Sequence, residues 1–353
     1  MKKDNREAIY WFEKAAEKGN TVAMCNLGYS YEFGEGVERD FAKSIKYYQD
    51  AIDAGDGNAL YRLGNFYYCE QDYDKALSLL ERAVVEATEL KNDAEELLGS
   101  MYRDGKGVER NYVKAAEWFA KAIEHENIMA LVALGMMYKH GLGVEQDEAK
   151  ALQMILQAAN LGQSIAMYNM GSFYEEGTCI IQDYTAARAW YQKAAEAGDG
   201  DAMCSMGDLY YWGNGVEEDT DIAQEWYEKA AETDCEDAIV MLGLICYYRQ
   251  DYENALSLLK RGAVDTNSRQ ALAEDILGEM YRDGNGVDKN AMQAIAFFKN
   301  AVEHGVDVSL ISLGDMYANG NGVEKDLSKA RSYYEKAKEA GIDVAEQRMT
   351  DLG

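Results

Sequence analysis

The chain has 353 residues, and 48% of them are hydrophobic, which is enough for a substantial buried core. Its 35 Lys and Arg residues against 63 Asp and Glu residues give a formal net charge of -28, which repels phosphate backbones and anionic lipid head groups. We therefore expect no nucleic-acid partner, and no apolar run approaches the roughly 18–20 residues that cross a membrane. The acidity either keeps a long, exposed molecule in solution or suits a basic partner.

The start of the chain predicts a helix over residues 6–19, which carries the pair Trp11-Phe12 and ends at Gly19. The unbroken apolar segment of a signal peptide does not occur in this stretch. We therefore expect a cytoplasmic protein, with a removed export signal as the alternative.

The first complete unit follows and consists of two predicted helices, here named helix A and helix B. In chain order it contains an apolar stripe at helical spacing, a glycine turn, a helix cap, an aromatic pair and a closing glycine: Ala23, Leu27, Gly28 and Tyr31; Gly34-Glu-Gly36-Val37; Asp40; Tyr47-Tyr48; Gly55. Glycine permits the left-handed backbone that ends a helix, and an aspartate side chain accepts a hydrogen bond from a free amide at a helix start. The unit therefore predicts a helix-turn-helix hairpin.

This unit recurs with a period of about 36 residues, which predicts nine repeats over residues 20–341. An apolar residue followed by glycine marks each helix A, at Leu27-Gly28, Leu63-Gly64, Leu98-Gly99, Leu134-Gly135, Met170-Gly171, Met206-Gly207, Leu242-Gly243, Leu277-Gly278 and Leu313-Gly314. Predicted caps of helix B follow at Asp40, Asn111, Asp147, Asp183, Asp219, Asn290 and Asp326. One hairpin cannot bury its apolar face alone, so neighbouring units must stack.

Three units depart from the pattern. Those at Gly64 and Gly243 have shorter connections, Cys69-Glu-Gln-Asp72 and Arg249-Gln-Asp251, and leucine pairs in place of the aromatic pair. The unit at Gly171 has Gly177-Thr-Cys179-Ile180, which lacks the second glycine and leaves the geometry of that turn open.

A longer interval separates two similar halves. Gly64 and Gly243 are as far apart as Gly28 and Gly207, and Tyr73-Asp-Lys-Ala-Leu-Ser-Leu-Leu80 matches Tyr252-Glu-Asn-Ala-Leu-Ser-Leu-Leu259. We infer a tandem duplication of a five-repeat block. The half-repeat at residues 6–19 and a last helix within residues 342–353 are either caps or the ends of a piece of a longer protein.

The pattern A-x-x-x-L-G-x-x-Y-x-x-G-x-G-V, then Asp, an aromatic pair and K-A-A, resembles the Sel-1-like repeat family, which is related to the tetratricopeptide repeats. Residues Ala202 to Gly215, with Asp219, Trp226-Tyr227 and Lys229 to Ala231, show it nearly complete. The units at Gly64 and Gly243 look more like ordinary tetratricopeptide repeats. The resemblance implies an all-α, right-handed α-solenoid of antiparallel helix pairs that acts as a scaffold or adaptor. It does not imply an enzyme.

The sequence shows no catalytic or metal-binding pattern. His125 and His304 are copies of one another at the end of helix B, where a cation suits the helix dipole, and His140 stands alone. The G-x-G turns lack the preceding strand and the Lys-Ser/Thr of a phosphate-binding loop. We therefore expect no enzymatic activity, no cofactor and no metal.

The six cysteines are Cys25, Cys69, Cys179, Cys204, Cys235 and Cys246. Some secreted relatives in the family that the chain resembles join helix A to helix B by a disulfide within each repeat. Here Cys235 and Cys246 lie about three turns apart on one helix A, roughly 16 Å, which is beyond the reach of a disulfide. We expect six reduced thiols and a reducing compartment.

Partner binding is expected on the concave face, at helix A positions that the core does not use. As in tetratricopeptide relatives, these lie two residues before the leucine and one, four and five after the glycine. The candidates are Tyr29, Phe33, Tyr61, Asn65, Tyr68, Glu96, Arg103, Tyr168, Glu175, Tyr211, Trp212, Tyr247, Tyr248 and Arg282, and Cys25, Glu32, Asp208, Leu244 and Glu279 occupy equivalent positions. We expect Tyr211, Trp212, Tyr247 and Tyr248, from adjacent units, to form the binding hot spot.

These observations favour a monomeric protein-interaction scaffold or adaptor. Its partner would be a protein or peptide that is basic or carries an aromatic or apolar anchor. A dedicated regulator, such as an immunity-type inhibitor of one basic protein, is the alternative.

Overall fold

The computed structural model describes residues 2–233, 235–264 and 268–352, with side chains from residue 5 onward in these ranges. All regular structure in them is α-helical, which confirms the predicted fold class. The helices are α1 (Lys2–Ala16), α2 (Thr21–Phe33), α3 (Phe41–Asp53), α4 (Gly57–Cys69), α5 (Tyr73–Glu86), α6 (Lys91–Asp104), α7 (Tyr112–Glu124), α8 (Ile128–His140), α9 (Glu148–Asn160), α10 (Ser164–Glu176), α11 (Tyr184–Glu196), α12 (Gly200–Trp212), α13 (Thr220–Ala231), α14 (Glu236–Tyr248), α15 (Tyr252–Gly262), α16 (Gln270–Asp283), α17 (Ala291–Glu303), α18 (Ser309–Asn319), α19 (Leu327–Glu339) and α20 (Val344–Asp351).

The chain divides into two compact units. Unit 1 comprises residues 1–173 and 177–181, and unit 2 comprises residues 174–176 and 182–353. In unit 1 the hairpins are α2–α3, α4–α5, α6–α7 and α8–α9, and in unit 2 they are α12–α13, α14–α15, α16–α17 and α18–α19. Each even-numbered helix of these pairs is a helix A, and the odd-numbered helix that follows is its helix B.

Helix B begins at the predicted caps. The Asp40 carboxylate accepts a hydrogen bond from the Lys43 amide at 3.1 Å, and the Asn111 side chain accepts one from Lys114 at 3.0 Å. Equivalent bonds form at Asp147, Asp183, Asp219, Asn290 and Asp326. These bonds satisfy amides that an isolated helix start leaves free, so the short connections end at defined residues.

Left-handed residues form the turn between helix A and helix B. Gly34 and Gly36 have φ angles of 74° and 77°. A Cβ atom on Gly36 would lie 2.8 Å from the Asn5 carbonyl oxygen, so this turn packs closely against the preceding helix. In the turn that lacks a second glycine, Cys179 adopts a φ of 62°, and the left-handed geometry is retained.

A close approach of helix B to the marker glycine of helix A builds the core of each repeat. A Cβ atom on Gly28 would lie 2.6 Å from the Tyr48 ring, and one on Gly99 would lie 2.7 Å from the Phe119 ring. Both rings are buried. The glycine therefore makes room for the second aromatic residue of the pair, which packs directly on the helix A backbone.

The two irregular repeats, at Gly64 and Gly243, keep this arrangement with aliphatic side chains. Leu80 and Leu259 take the place of the aromatic ring and are fully buried. Gln71 and Gln250 supply the left-handed residue of the short connection, with φ angles of 61° and 64°. The irregular repeats thus differ in side chains and turn length while the hairpin is retained.

Candidate functional site

The predicted partner-binding residues differ in their exposure. Tyr29, Phe33, Trp212 and Tyr248 are 40%, 58%, 61% and 65% exposed. The others are half-buried, namely Tyr61, Asn65, Tyr68, Glu96, Arg103, Tyr168, Glu175, Tyr211, Tyr247 and Arg282. Four large aromatic side chains therefore remain at the surface, where the helix hairpins do not use them.

An open cleft of about 760 Å³ in unit 2 brings part of the expected hot spot together. Its wall consists of Tyr211 and Trp212 at the end of α12, and Ile245 and Tyr248 at the end of α14. The Tyr211 and Trp212 rings meet edge to face, with 4.7 Å between their centroids. Burial, the neighbouring Tyr248 and the Glu218 carboxylate raise the pKa of Tyr211. The Tyr211 hydroxyl therefore stays neutral at physiological pH.

Acidic residues of the connection into α13 and of its first turn also line the cleft. Glu218, Asp219, Thr220 and Asp221 line it, together with Arg249. The Arg249 guanidinium donates to Asp221 at 2.5 Å and to the side chain of Gln224 at 2.6 Å. Asp219 caps α13, whereas the Glu218 side chain is exposed. The cleft thus combines an apolar wall with a mainly anionic rim.

Tyr247, predicted to belong to the same hot spot, does not line the cleft, but its ring meets the Tyr248 ring edge to face with 5.5 Å between their centroids. Its hydroxyl donates to Glu279 Oε2 at 3.1 Å, and its ring meets the Tyr252 ring at 5.8 Å. Burial and the Glu279 carboxylate raise its pKa to about 12. The structure therefore gives Tyr247 a role in joining α14 to α16.

Unit 1 carries a smaller aromatic patch near the end of α2. The Tyr29 and Phe33 rings pack against each other with their centroids 4.6 Å apart. In the similar first half of the sequence, Phe33 occupies the position that corresponds to Trp212, and Cys69 the position that corresponds to Tyr248. The aromatic cleft of unit 2 is therefore not repeated in unit 1.

Other predicted residues of unit 1 are held by polar contacts. Lys106 Nζ donates to the Tyr68 hydroxyl at 3.0 Å, and Ser100 Oγ donates to Glu96 at 2.9 Å. Burial raises the pKa of Glu96, and burial together with the Asp93 and Glu96 carboxylates raises that of Tyr61 to about 12. This surface is polar and half-buried.

Hydrogen bonds between the buried helix B tyrosines and helix A carboxylates were not predicted from the sequence. The hydroxyl of the second aromatic residue donates to a carboxylate one or four residues after the marker glycine. The pairs are Tyr48 with Glu32 at 2.8 Å, Tyr191 with Glu175 at 2.6 Å, Tyr227 with Asp208 at 2.7 Å and Tyr334 with Asp315 at 2.6 Å. Glu175, predicted as a binding residue, therefore also supports its own hairpin.

Repeats with phenylalanine at this position carry an arginine instead. The Arg103 guanidinium lies 6.0 Å from the Phe119 ring centroid, and that of Arg282 lies 5.9 Å from the Phe298 ring centroid. The sequence therefore contained a signal for these contacts, because tyrosine accompanies an acid on helix A and phenylalanine accompanies an arginine.

Three positions that the sequence placed on the binding face are buried. Cys25 and Leu244 belong to hydrophobic clusters, and Glu32 accepts the Tyr48 hydrogen bond. Asp208 is half-buried and pairs with Arg269 at 2.5 Å as well as with Tyr227. These residues follow the same spacing along helix A as the exposed candidates. A neighbouring helix nevertheless covers their side chains.

The duplicated histidines have partners that the sequence analysis did not identify. His125 Nδ1 lies 2.7 Å from Glu95 Oε2, and His304 Nδ1 lies 2.7 Å from Glu274 Oε2. Each pair joins the end of helix B to helix A of the same hairpin. Within the described ranges, no group of three or more His, Cys, Asp or Glu side chains is arranged to hold a metal ion. No helix in the described parts of the chain has the length and apolar character needed to span a bilayer.

The marker glycines, capped helices and left-handed turns define an all-α protein of stacked helix hairpins. The chain belongs to the Sel1 repeat family, whose repeat matches residues 1–20, 21–56, 92–127, 128–163, 164–199, 200–233, 271–306 and 308–342. A tetratricopeptide repeat matches residues 59–95, which contain the first irregular unit.

Similar proteins span several organisms. The crystal structure of c5321, a protective antigen of uropathogenic Escherichia coli with this repeat fold, is 29% identical and covers 98% of this chain and 75% of its own, with a TM-score of 0.71. Two curated relatives match about a third of the chain. The Sel1-repeat-containing protein YjcO of Escherichia coli is 32% identical, and the match covers 34% of this chain and 54% of YjcO. HRD3 of Candida glabrata, a component of an ERAD-associated E3 ubiquitin-protein ligase, is 30% identical, and the match covers 33% of this chain and 15% of HRD3. The chain thus spans only part of both relatives.

Proposed function

We propose that this protein is a protein-interaction scaffold that binds a segment of a partner protein in the cleft lined by Trp212 and Tyr248. The exposure of these two side chains is the observation that supports the proposal most directly. Tryptophan and tyrosine contribute strongly to binding hot spots, because each buries a large area with few rotatable bonds. Both rings lie beside a cleft large enough for one side chain of a partner.

The charge around the cleft supports a basic partner segment. Glu218 is exposed on the rim, and the whole chain carries a net charge of -28. A lysine or arginine of the partner would be attracted to the rim and could lie over an aromatic face, which contributes about 0.5–2 kcal/mol. We propose a partner segment with a basic residue next to an apolar or aromatic anchor.

The names of relatives agree with a role in protein assemblies. HRD3 is named as a component of a ubiquitin-protein ligase, and SKT5 of Saccharomyces cerevisiae, 31% identical over 36% of this chain and 19% of its own length, is named a chitin synthase regulator. The family and its repeat fold support a binding role more directly than a catalytic one. A single dedicated basic partner, as in an immunity-type regulator, is the special case of this proposal.

The proposal is tested by replacing the two exposed aromatic residues of the cleft together. Wild type and the Trp212→Ala/Tyr248→Ala variant are used to capture proteins from a native lysate, and captured proteins are quantified by mass spectrometry. A partner that wild type enriches and the variant loses is then purified. We expect its affinity to fall by more than about 2 kcal/mol in the variant.

A matched control removes the same residue types elsewhere. Tyr10 and Trp11 on α1 are exposed and meet edge to face at 5.3 Å. The Tyr10→Ala/Trp11→Ala variant should bind the partner as wild type does, and circular dichroism should show equal helicity for all three proteins. Equal binding by the cleft variant, or an equal loss in the control variant, would place the site elsewhere.

A further inference from the structure

Two thiols of unit 2 lie together at the start of neighbouring helices A. Cys204 is buried in the first turns of α12, and Cys235 is the N-cap residue of α14. Both belong to one hydrophobic cluster, with Cys204 in its core and Cys235 packed against it. A hydrogen bond between the two side chains, followed by burial, raises the pKa of Cys204. The same hydrogen bond lowers the pKa of Cys235.

The duplicated half of the chain shows why these thiols meet. Cys25 is the copy of Cys204, and Asp56 is the copy of Cys235. In unit 1 the Cys25 thiol lies 3.9 Å from Asp56 Oδ2, and Asp56 caps α4 by accepting the Asn58 amide at 3.0 Å. The repeat therefore places a helix A thiol beside the cap of the next helix A. In unit 2 the cap residue is itself a cysteine.

The position of Cys235 favours its thiolate. The start of a helix carries partial positive charge and free amides, which lower the pKa of a cysteine located there. The Ala238 amide of α14 contributes to this effect, whereas burial and the Asp201 and Asp237 carboxylates oppose it. The Cys235 thiol also donates to Asp201 Oδ1 at 3.9 Å. Cys235 is also half-buried, while Cys204 is 5% exposed. An oxidant from solution therefore meets Cys235 first.

We propose that Cys204 and Cys235 form a reversible redox pair that closes to a disulfide between α12 and α14. A hydroperoxide supplies the oxidising equivalents. The Cys235 thiolate attacks its terminal oxygen, the O–O bond breaks, and Cys235 becomes a sulfenic acid while hydroxide or an alcohol leaves. The Cys204 sulfur then attacks the Cys235 sulfur, and one water molecule leaves as the S–S bond forms. A dithiol reductant reverses the reaction by exchange.

The neighbourhood can accommodate this chemistry. Gly200 faces Cys235, and a Cβ atom there would lie 3.6 Å from the Cys235 Cβ and against the Thr233 hydroxyl. The missing side chain therefore lets the start of α12 approach the residues before α14 closely, and Cys204 lies one turn further along α12. A disulfide would join the first turns of α12 and α14, the helices whose last turns carry Trp212 and Tyr248. The redox pair itself does not depend on the function proposed for those two residues.

The pair is tested on the full-length protein, fully reduced and then exposed to a small excess of hydrogen peroxide at neutral pH. Free thiols are blocked with an alkylating reagent, and the protein is digested without reductant for mass spectrometry. We expect a Cys204–Cys235 cross-linked peptide whose mass is lower by two hydrogen atoms than the sum of its parts. Treatment with a dithiol should remove it. Cys25 and Cys246 should remain alkylated, and Cys25 is the matched control because its neighbour is Asp56.

The Cys235→Asp variant reproduces the arrangement of unit 1 and should abolish the cross-link. Cys204→Ser provides a second variant if Cys235→Asp lowers the helical content, and it should trap the Cys235 sulfenic acid for a dimedone-type probe. The proposal is overturned if wild type keeps six alkylatable thiols after oxidation, or if the cross-link joins another pair of cysteines. Adduct formation at Cys204 rather than at Cys235 would refute the assigned order of attack.

Discussion

At the residue scale, a hydrogen bond between a buried tyrosine and a helix A carboxylate helps to close four of the hairpins. Tyr48 is 1% exposed, and its acceptor Glu32 is 9% exposed. Burial raises the pKa of Glu32, and the Tyr48 hydrogen bond and nearby arginines partly oppose this shift. The hydrogen bond from Tyr48 therefore stabilises the charged form of the buried Glu32 carboxylate.

Replacement of Tyr48 by phenylalanine should destabilise the protein. The ring and its packing on Gly28 remain, but the buried Glu32 carboxylate loses its donor. Hydrogen bonds to charged groups contribute about 1.5–3 kcal/mol, so we expect a loss in that range in urea unfolding. Tyr29→Phe, at an exposed ring, is the control.

A double-mutant cycle separates the hydrogen bond from other effects of the Tyr48 replacement. The Tyr48→Phe/Glu32→Gln double variant should lose much less free energy of unfolding than the sum of the losses in the two single variants, because the two side chains interact directly. Additive effects would show that the hydrogen bond contributes little.

The half-buried Glu96 gives a prediction that depends on pH. Burial raises its pKa in the folded protein above the ordinary value of 4.5. Glu96 therefore contributes most to stability when it is protonated, below its unfolded-state pKa, and this contribution is lost as pH rises through the folded-state pKa. Glu96→Gln, which can still accept the Ser100 hydrogen bond, should be more stable than wild type at pH 7.

The gain from Glu96→Gln should shrink as pH falls toward 4, and thermal unfolding across pH 4–8 measures it. Glu117→Gln, at an exposed position of α7, is the control for removing one negative charge from an acidic chain. A gain that is independent of pH, or is equal in the control, would contradict this account of Glu96.

At the element scale, the marker glycine and the helix B side chain determine how closely the two helices approach. A Cβ atom on Gly207 would lie 2.5 Å from the Tyr227 ring, whereas one on Gly135 would lie 3.1 Å from the end of Ile155. Gly207→Ala should therefore cost about 1–3 kcal/mol through overpacking. Gly135→Ala should cost less, because the isoleucine can move and alanine favours the helix by about 1 kcal/mol.

Urea unfolding of the two glycine variants tests this difference. Both substitutions add the same atom to the middle of a helix A, so each is the control for the other. An equal effect at the two positions would show that the helices shift apart and that the aromatic ring does not fix their separation.

The sequence predicted local features well, because a few neighbouring residues determine them. Helix caps such as Asp40 and turn glycines such as Gly34 have the bonds and dihedral angles that their residue types favour. The geometry at Cys179 was left open, since only the structure shows that a cysteine occupies the left-handed position. Helix starts and ends were thus predictable one repeat at a time.

Contacts between helices were harder to predict. Glu32 and Phe33 are adjacent on α2, yet one is buried against Tyr48 and the other is exposed. The counting rule that placed both on the binding face does not include the rotation of the next helix. The adjacent Tyr247 and Tyr248 likewise have different surroundings, because Tyr247 donates to Glu279 and Tyr248 lines the cleft.

At the scale of the whole molecule, the two similar halves of the sequence provide internal comparisons. The pairs His125–Glu95 and His304–Glu274 have the same geometry in the two units, which indicates conserved hairpin closure. The copies of Trp212 and Cys235 are Phe33 and Asp56, so the cleft and the thiol pair belong to unit 2 alone. Features kept in both copies support the fold, and features found in one copy are the better candidates for function.

The excess of negative charge affects the stability of the entire chain. With 63 acidic and 35 basic residues, like charges repel one another more strongly in the folded protein than in the expanded unfolded chain. The screening length falls from about 30 Å at 0.01 M salt to about 8 Å at 0.15 M. Added salt should therefore stabilise the folded protein.

We expect the midpoint of thermal unfolding to rise between 0.01 and 0.15 M NaCl at pH 7. Each kcal/mol of repulsion that is screened raises it by about 2–4 °C for units of this size. Sucrose at equal osmolality is the control, because it changes hydration without screening charge. A midpoint that stays constant or falls with NaCl would show that the local ion pairs, such as Arg269 with Asp208, outweigh the net repulsion, since salt weakens those pairs as well.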